Sequence, residues 1–557
     1  MQRNESIKKL RSGAFDLCII GGGASGAGCA LDAALRGLNV VLIEKNDFAS
    51  GTSSKSTKLI HGGVRYLEQA FKNLDFAQLR QVHHGLRERH TLLANAPHLA
   101  RPVTLVTSVF SWLEGLYFRI GLWMYDRIAT RKDTLPASRW LSRKAARQLL
   151  PGLTERLHSA VCYSDGQLDD ARYCLALAQS AAEAGATVLN YAAVSTFEKN
   201  DQGQITAATL TDQLNREEYR VQARCFLNCT GPQADHIRQL ANPALPPRIR
   251  PSKGVHLMLP LSTLGSAEAA LLIPKTPDGR VVFAIPFDGK LMLGTTDQDY
   301  PTPAQEPHLE AGEVDFLLKT LEPYLQNPVA KTAVSGGFGG LRPLVISTER
   351  QLNKSTKKLL RDHEVEHDPA SGLFSLLGGK WTTYRLMAGD ALDAVCEYLN
   401  VDATCTTDQH GLAGSEHFSP LVAIQLQEKH RLPEDVAVHL AHNYGSRAFQ
   451  VADLTQADPA LGQRLHPAYP FIRAEVPYTV RNEMACTLRD VLARRVRLEL
   501  LDWAAALQTI PVVADLMAET LAWPDEEKNR QVEDYAGLIR EFMAAAGIRS
   551  GRGLTRE

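Results

Sequence analysis

The 557-residue sequence contains no C-x-x-C pair and no group of Cys and His at zinc-ligand spacing, so no metal site is expected. Its nine cysteines, at 18, 29, 162, 174, 225, 229, 396, 405 and 486, are scattered and odd in number. That excludes a disulfide framework and points to buried thiols in a reducing compartment. An excess of either charge is also missing. The formal net charge is −1, which gives no electrostatic footprint for a nucleic-acid partner. No stretch of about 18 or more residues is apolar without charges, so no membrane-spanning helix is expected. Residues 1–13 are polar and lack the apolar centre of a secretory signal. H-E-x-x-H, P-loop and G-x-S-x-G motifs are absent as well, which leaves metalloprotease, NTPase and α/β-hydrolase chemistry without support.

What is present is concentrated between Asp16 and Glu44. An apolar run, Leu17-Cys18-Ile19-Ile20, leads into Gly21-Gly22-Gly23-Ala24-Ser25-Gly26, an alanine-rich segment and a second apolar run, Val40–Ile43. This is G-x-G-x-x-G in its required strand–turn–helix–strand context. Gly21 turns the chain off the strand, Gly23 lets backbone N–H groups approach a pyrophosphate, and Gly26 allows helix and strand to pack closely. The first helical turn then presents its unpaired N–H groups to the phosphates. Glu44, 18 residues beyond Gly26, is placed to accept from an adenosine ribose.

A Ser/Thr-rich loop follows, with Thr52, Ser53, Ser54 and Thr57 suited to line a cofactor's phosphates and ribityl chain, and then Leu59-Ile60-His61-Gly62-Gly63-Val64-Arg65-Tyr66. Residues 69–100 carry helical periodicity, with Pro97 as a stop. Residues 112–147 interleave aromatic and basic side chains, eight Lys/Arg against three acids, and read as either a membrane-surface element or a packing helix with a solvated face. A helix is predicted over 169–184, and strands over 187–189 and 221–229, the latter running into Thr230-Gly231. Residues 251–300 alternate apolar and polar between turns, as antiparallel strands do. From about 401 helical periodicity dominates. Val480, Met484, Leu488, Leu492, Val496 and Leu500 fall on one predicted face, and Arg481, Arg489, Arg494, Arg495 and Arg497 read as solvated.

No second G-x-G-x-x-G exists, and the glycine-rich stretch 335–340 neither follows a clear strand nor opens a helix. One dinucleotide site beside an inserted antiparallel sheet suggests a flavin oxidoreductase. The polar groups left over are cationic: Arg65, Arg342, Arg361 and Lys380. Guanidinium forks and a lysine ammonium select a phosphate or carboxylate.

Several motifs match a family. Ser56-Thr57-Lys58-Leu59-Ile60-His61-Gly62-Gly63-Val64-Arg65-Tyr66-Leu67 closely resembles a signature of the FAD-dependent glycerol-3-phosphate dehydrogenases. So do Tyr163-Ser164-Asp165, Asp169–Arg172, Gly294–Asp297, Gly340–Leu344, Leu360–His363 and Gly378–Arg385, and the stretch from Arg481 to Arg495 resembles that family's helical cap. The resemblance spans nearly the whole chain in order. It implies an α/β + α fold: a glutathione-reductase-type FAD domain in segments of about 14–100, 155–250 and 370–400, with an antiparallel substrate domain from about 101–154 and 251–369. A helical domain over 401–546 and a disordered tail over 547–557 follow.

The resemblance also implies oxidation of sn-glycerol 3-phosphate to dihydroxyacetone phosphate, with electrons passed through FAD to membrane quinone. Substrate contacts would come from Arg65, Tyr66, Thr295, Arg342, Arg361 and Lys380, with His61, Lys380 and Arg342 as catalytic candidates. FAD would contact Gly21, Gly23, Ala24, Ser25, Gly26, Glu44, Thr52, Ser53, Ser54, Thr57, Leu59, His61, Val194, Gly231, Gly379, Lys380, Thr382 and Thr383. His61 suits general-base work or packing on the flavin, while Lys380 or Arg342 suits a developing alkoxide. The expected location is the cytoplasmic side of the membrane, peripherally attached, with a homodimer as one compatible assembly. The alternatives are a soluble oxidase delivering electrons to O2 and making H2O2, an amine or amino-acid oxidase, and a flavin-binding redox sensor without turnover. An oxidase of this family tends to carry a mid-chain insertion, and none is evident. An amino-acid oxidase needs only one carboxylate-binding cation.

Overall fold

The computed structural model describes residues 1–62, 76–128, 135–274, 276, 280–301, 305–346 and 363–548. The first strand, Ala14–Ile20, pairs in parallel with Val40–Ile43 on one side and Glu218–Asn228 on the other. Thr187–Leu189 extends one edge and Leu373–Gly378 the other, also in parallel. With the antiparallel strand His363–His367 and the hairpin of Ala192–Lys199 with Ile205–Asp212, this makes an eight-stranded sheet. Its central strands are apolar on both faces because both are covered, as parallel sheets require. Ala24–Leu35, Asp170–Glu183 and Tyr384–Leu399 pack on one face. Arg3–Ser12 and Ala234–Ala241 lie against the other.

The second sheet has ten strands, in the order Gln298–Asp299, Ile249–Pro260, Lys290–Gly294, Val282–Phe287, Ala269–Ile273, Ala100–Val109, Ser159–Leu168, Leu59–Ile60, with two further strands attached. Two expectations need correction. The sheet is not wholly antiparallel, since Ala269–Ile273 runs parallel to Ala100–Val109. The segment bounds also shift: Ser159–Leu168 and Leu59–Ile60 pair in the second sheet, whereas His363–His367 belongs to the first. An alternating strand pattern states that a strand has a buried face but not which sheet supplies its neighbour. The glycine-rich stretch is itself strand, Gly336–Val345, laid antiparallel on Ile249–Pro260.

The helix after the cofactor loop is described over Phe76–Asn95 and ends before Pro97, as predicted. Trp112–Ile128 is also helical. Leu122 and Tyr125 face inward, while Trp112, Leu113, Leu116, Tyr117, Ile120 and Trp123 form an outward row, with Leu113 64% exposed and Trp112 59%. Helical spacing puts these on one face.

Helices dominate beyond residue 420. Leu421–His430, Glu434–Tyr444 and Ala448–Ala457 share a small core. Glu475–Glu483, Trp503–Leu521 and Asp525–Ala545 pack into the core of the second sheet. Trp503–Leu521 is the one helix among the described residues long and apolar enough to cross a membrane. Here Trp503, Ala506, Ile510, Val513, Ala514 and Met517 are buried against those neighbours, so it reads as a core helix.

The arginine-rich run differs from expectation. Glu475–Glu483 ends at Met484 in the left-handed conformation (φ 54°), and a π-helical stretch, Asp490–Arg495, follows. Arg497 is again left-handed (φ 62°), before the short helix Leu498–Leu501. Met484, Leu488, Leu492, Val496 and Leu500 are buried and Val480 partly so, but by a broken path rather than one face. Arg494, Arg495 and Arg497 are not solvated: they are buried, and Arg489 is about three-quarters so. Arg494 and Arg495 both pair with Asp47, and Arg497 donates to Asp170 at 2.7 Å. Arg172 forms a two-pronged pair with Glu483 at 2.7 and 2.9 Å. Asp490 and Glu499 lie close in sequence to Arg494 and Arg489, but sequence periodicity missed the burial because Asp47 and Asp170 lie hundreds of residues away along the chain. Burial opposes ionisation of Asp47, yet the two guanidinium groups hold its carboxyl below the usual range.

Asp47→Asn should therefore cost about 3–5 kcal/mol of stability, because two buried guanidinium groups lose their shared anion. Denaturant unfolding of the variant against the parent protein measures this, and a loss below about 1 kcal/mol would show the pair to be dispensable.

Candidate active site

The dinucleotide turn has the geometry its glycines predict. A Cβ on Gly26 would overlap Gly21 O, and one on Gly23 would lie 2.8 Å from Ser53 Oγ. Gly21 is left-handed (φ 111°), with Cys229 O packed where its side chain would be. Gly23 is the N-cap of Ala24–Leu35, so the first-turn N–H groups of Ala24, Ser25 and Gly26 point out of the helix end. Ser53 Oγ accepts from Ala24 N–H at 2.9 Å. Cys229 N–H donates to Ile20 O at 2.8 Å and thereby brings Thr230-Gly231 beside the turn. These backbone donors and the absent side chains fit a pyrophosphate.

Glu44 is more committed than expected. Its carboxylate accepts from Gly22 N–H at 2.6 Å and Asn46 N–H at 2.8 Å. Burial nevertheless raises its pKa, against the pull of those two donors. Each oxygen retains a second lone pair for a ribose hydroxyl. Ala192 N–H donates to Glu44 O, so the strand Ala192–Lys199 with Val194 starts from the same corner, though Val194 packs toward the sheet core.

Thr52–Ser54 is one short 3-10 turn, followed by Thr57 and the strand Leu59–Ile60. This segment joins three parts of the molecule. Thr52 Oγ1 donates to Leu341 O at 2.5 Å, and Trp381 Nε1 donates to Ser53 O at 2.9 Å. A Cβ on Gly340 would lie 2.7 Å from Lys55 O. Trp381 is flanked in sequence by Gly379 (φ 85°) and Lys380 on one side and by Thr382 and Thr383, which lead into the helix Tyr384–Leu399, on the other. His61 is half-buried, and the next N–H, of Gly62, donates to Tyr125 Oη at 2.8 Å.

The cationic end is built on the second sheet. Arg342 sits opposite Ser252 on the strand Ile249–Pro260, and its guanidinium crosses Gly254, where any side chain would overlap Nη2. Nη2 donates to Thr295 Oγ1 at 2.8 Å, and Asp297 lies 4.0 Å from Nη1. Arg65, Tyr66 and Arg361 lie outside the described residues.

One residue was missed. His256, on the same strand as Gly254, is buried, 3.1 Å from Thr57 Oγ1 and stacked on Phe338 at 4.9 Å between ring centroids. Its Nδ1 has no hydrogen-bond partner among the described residues. Lys58 Nζ lies over the same Phe338 ring at 4.8 Å and pairs with Asp170 at 2.9 Å. Burial, then the charges of Lys58 and Arg342, push His256 well below the ordinary imidazole range, which keeps it neutral. Burial lowers Lys58 to about 8 against the pull of Asp170. His256 carries no motif signal of its own, since a lone His in an alternating strand reads as core.

Comparison with known proteins agrees with this geometry. The family model described as "FAD dependent oxidoreductase" matches residues 16–383, and that of the "C-terminal domain of alpha-glycerophosphate oxidase" matches 405–528. A probable mitochondrial glycerol-3-phosphate dehydrogenase of Dictyostelium discoideum is 41% identical, covering 95% of this chain and 84% of the relative. The mitochondrial glycerol-3-phosphate dehydrogenase of Mus musculus is 39% identical over 93% of this chain and 72% of its own length. Among solved structures, the Bacillus halodurans glycerol-3-phosphate dehydrogenase complexed with FAD superposes with a TM-score of 0.78, at 28% identity over 99% of both chains. The chain belongs to the family of FAD-dependent glycerol-3-phosphate dehydrogenases, and FAD is its cofactor.

Proposed function

We propose that this protein oxidises sn-glycerol 3-phosphate to dihydroxyacetone phosphate and passes the electrons to a membrane quinone. The observation that carries the substrate is Arg342, half-buried, hydrogen-bonded to Thr295 and close to the buried His256, on a strand whose Leu341 O accepts from Thr52 of the loop. In this reading Arg342 and Thr295 bind the phosphate with Lys380, and Arg65, Tyr66 and Arg361 complete the pocket. A dianion is what such a cluster selects. FAD supplies the hydride acceptor. The glycine turn and the first-turn N–H groups of Ala24–Leu35 hold its pyrophosphate, Glu44 its ribose, and Thr52–Leu59, Gly231 and Gly379–Thr383 the rest. The substrate hydroxyl needs a proton acceptor at C2. His256 joins His61 as a candidate by its position beside Thr57 and Arg342, with an Nδ1 that has no hydrogen-bond partner among the described residues. Lys380 and Arg342 then stabilise the developing oxyanion.

Attachment to a membrane surface is supported by Trp112–Ile128. Its outward row of Trp, Leu, Tyr and Ile is far larger than the single apolar residues normal on a protein surface. Arg119, Arg127, Arg139, Arg143 and Lys144 flank it and suit anionic lipid. The nine free thiols suit a reducing compartment, and we place the enzyme on the inner face of the cytoplasmic membrane.

Anaerobic addition of glycerol 3-phosphate to the purified protein should bleach the flavin absorbance. Colour should return quickly with a soluble quinone and slowly with air; fast return with air would make the protein an oxidase, and no bleaching would remove the substrate. Arg342→Ala should retain FAD while raising KM about a hundredfold, the cost of losing a charge-assisted contact. An unchanged KM would take Arg342 out of the phosphate site. Replacing Leu113, Ile120 and Trp123 together by Glu should abolish co-sedimentation with anionic vesicles while substrate still bleaches the flavin. Vesicle binding that survives the triple change would place the membrane surface elsewhere.

A further inference from the structure

Two chains of ion pairs run from the arginine-rich stretch of the C-terminal helices to the loop 52–58. In the inner chain, Arg497 donates to Asp170 Oδ1 at 2.7 Å and to Ser54 O at 3.1 Å. Asp170 also accepts from Ser56 N–H at 2.9 Å, Ser56 Oγ at 2.7 Å and Lys58 Nζ at 2.9 Å. In the outer chain, Lys55 pairs with Glu306, and both oxygens of Glu306 accept from Arg489 at 2.7 Å. Arg489 is oriented by Glu499 at 2.9 and 3.0 Å. Burial opposes ionisation of Glu306, but Lys55 and Arg489 hold its carboxyl well below the usual range. The loop thus has an arginine reaching it through an acid from each of two directions.

We propose that the helical C-terminal domain sets the shape of the cofactor loop through these two clasps, Arg497–Asp170 and Arg489–Glu306–Lys55, so that Arg489 and Arg497 are positioning residues for the flavin site. The inference rests on the reading that Thr52–Leu59 faces FAD. The physical case is that the loop has little regular structure of its own, a single 3-10 turn over Thr52–Ser54. A short polar segment of this kind is ordered only by what it is tied to, and ordering it costs conformational entropy. Its neutral hydrogen bonds, from Ala24 N–H to Ser53 Oγ and from Thr52 Oγ1 to Leu341 O, are individually weaker than charge-assisted ones. The clasps supply the stronger anchors, at Ser54, Lys55, Ser56 and Lys58 in turn. Displacement of the loop would also move Thr57, the hydrogen-bond partner of His256.

The outer chain is the better place to cut, since the Glu306 side chain is 31% exposed and that of Arg489 23%. Glu306→Gln, Arg489→Gln and the double variant, purified with FAD, are compared with the parent for FAD release after dilution, tryptic cleavage after Lys55, and thermal unfolding. We expect about tenfold faster FAD release in each, equivalent to about 1.4 kcal/mol of binding. Faster cleavage after Lys55 should accompany it, with melting within roughly 2–4 °C of the parent. The double variant should be no worse than the singles, since both cut one chain. Arg497→Lys keeps a charge for Asp170 but loses the bond to Ser54 O, and it too should release FAD faster. Parental FAD release and cleavage, strictly additive effects in the double variant, or faster release that only follows a lowered melting temperature would overturn the proposal. Flavin in the parent protein reports on the cofactor reading; the difference between variants and parent reports on the clasps.

Discussion

Two carboxylates that water does not reach hold this protein together. Asp47, just past the strand that ends the dinucleotide unit, and Asp170, in the first turn of a helix on the same sheet, are both fully buried. A buried carboxylate is costly unless it is paired and hydrogen-bonded. Here Arg494 and Arg495 satisfy one, and Lys58 with Arg497 satisfies the other. Three of those four cations come from one short stretch of the C-terminal helices. The helical domain is therefore bound to the dinucleotide domain by groups that would be left charged and dry without it, which fixes one docking geometry more sharply than apolar contact alone.

The same arrangement sets the electrostatics of the site. Lys58, held by Asp170, lies over Phe338, which also stacks on the His256 ring. Burial, and then the positive charges of Lys58 and Arg342, keep the His256 imidazole unprotonated, while Arg342 is held by its hydrogen bond to Thr295. On the far side, Tyr125 of the exposed apolar helix reaches inward to the N–H of Gly62, so the surface proposed to meet lipid is one hydrogen bond from the segment that carries His61.

The local chemistry of the site was readable in advance wherever it depends on residues close in sequence. Gly21, Gly23 and Gly26 act over six positions, and the structure shows the close approaches that forbid a side chain there. Thr52–Leu59 and Gly379–Thr383 were picked out by motif, and the hydrogen bond from Trp381 to Ser53 brings them together. His256 was not readable, because its meaning comes from Thr57, in a loop, and from Phe338 and Arg342, on the strand Gly336–Val345 further along the chain. Glu44 was identified, but its two backbone donors were not foreseen, since they depend on how tightly the turn closes over the carboxylate.

By itself the sequence determined the βαβ unit, the inserted sheet and the helical C-terminal region, because strand and helix periodicity and turn glycines are short-range constraints. Only the tertiary structure decided which sheet receives Leu59–Ile60, Ser159–Leu168 and His363–His367, since a strand's partner is chosen by the whole set of available edges. It alone decided that Arg494, Arg495 and Arg497 are interior. An arginine on a helix is solvated by default, and only an acid arriving from a distant segment, such as Asp47 or Asp170, makes its burial favourable.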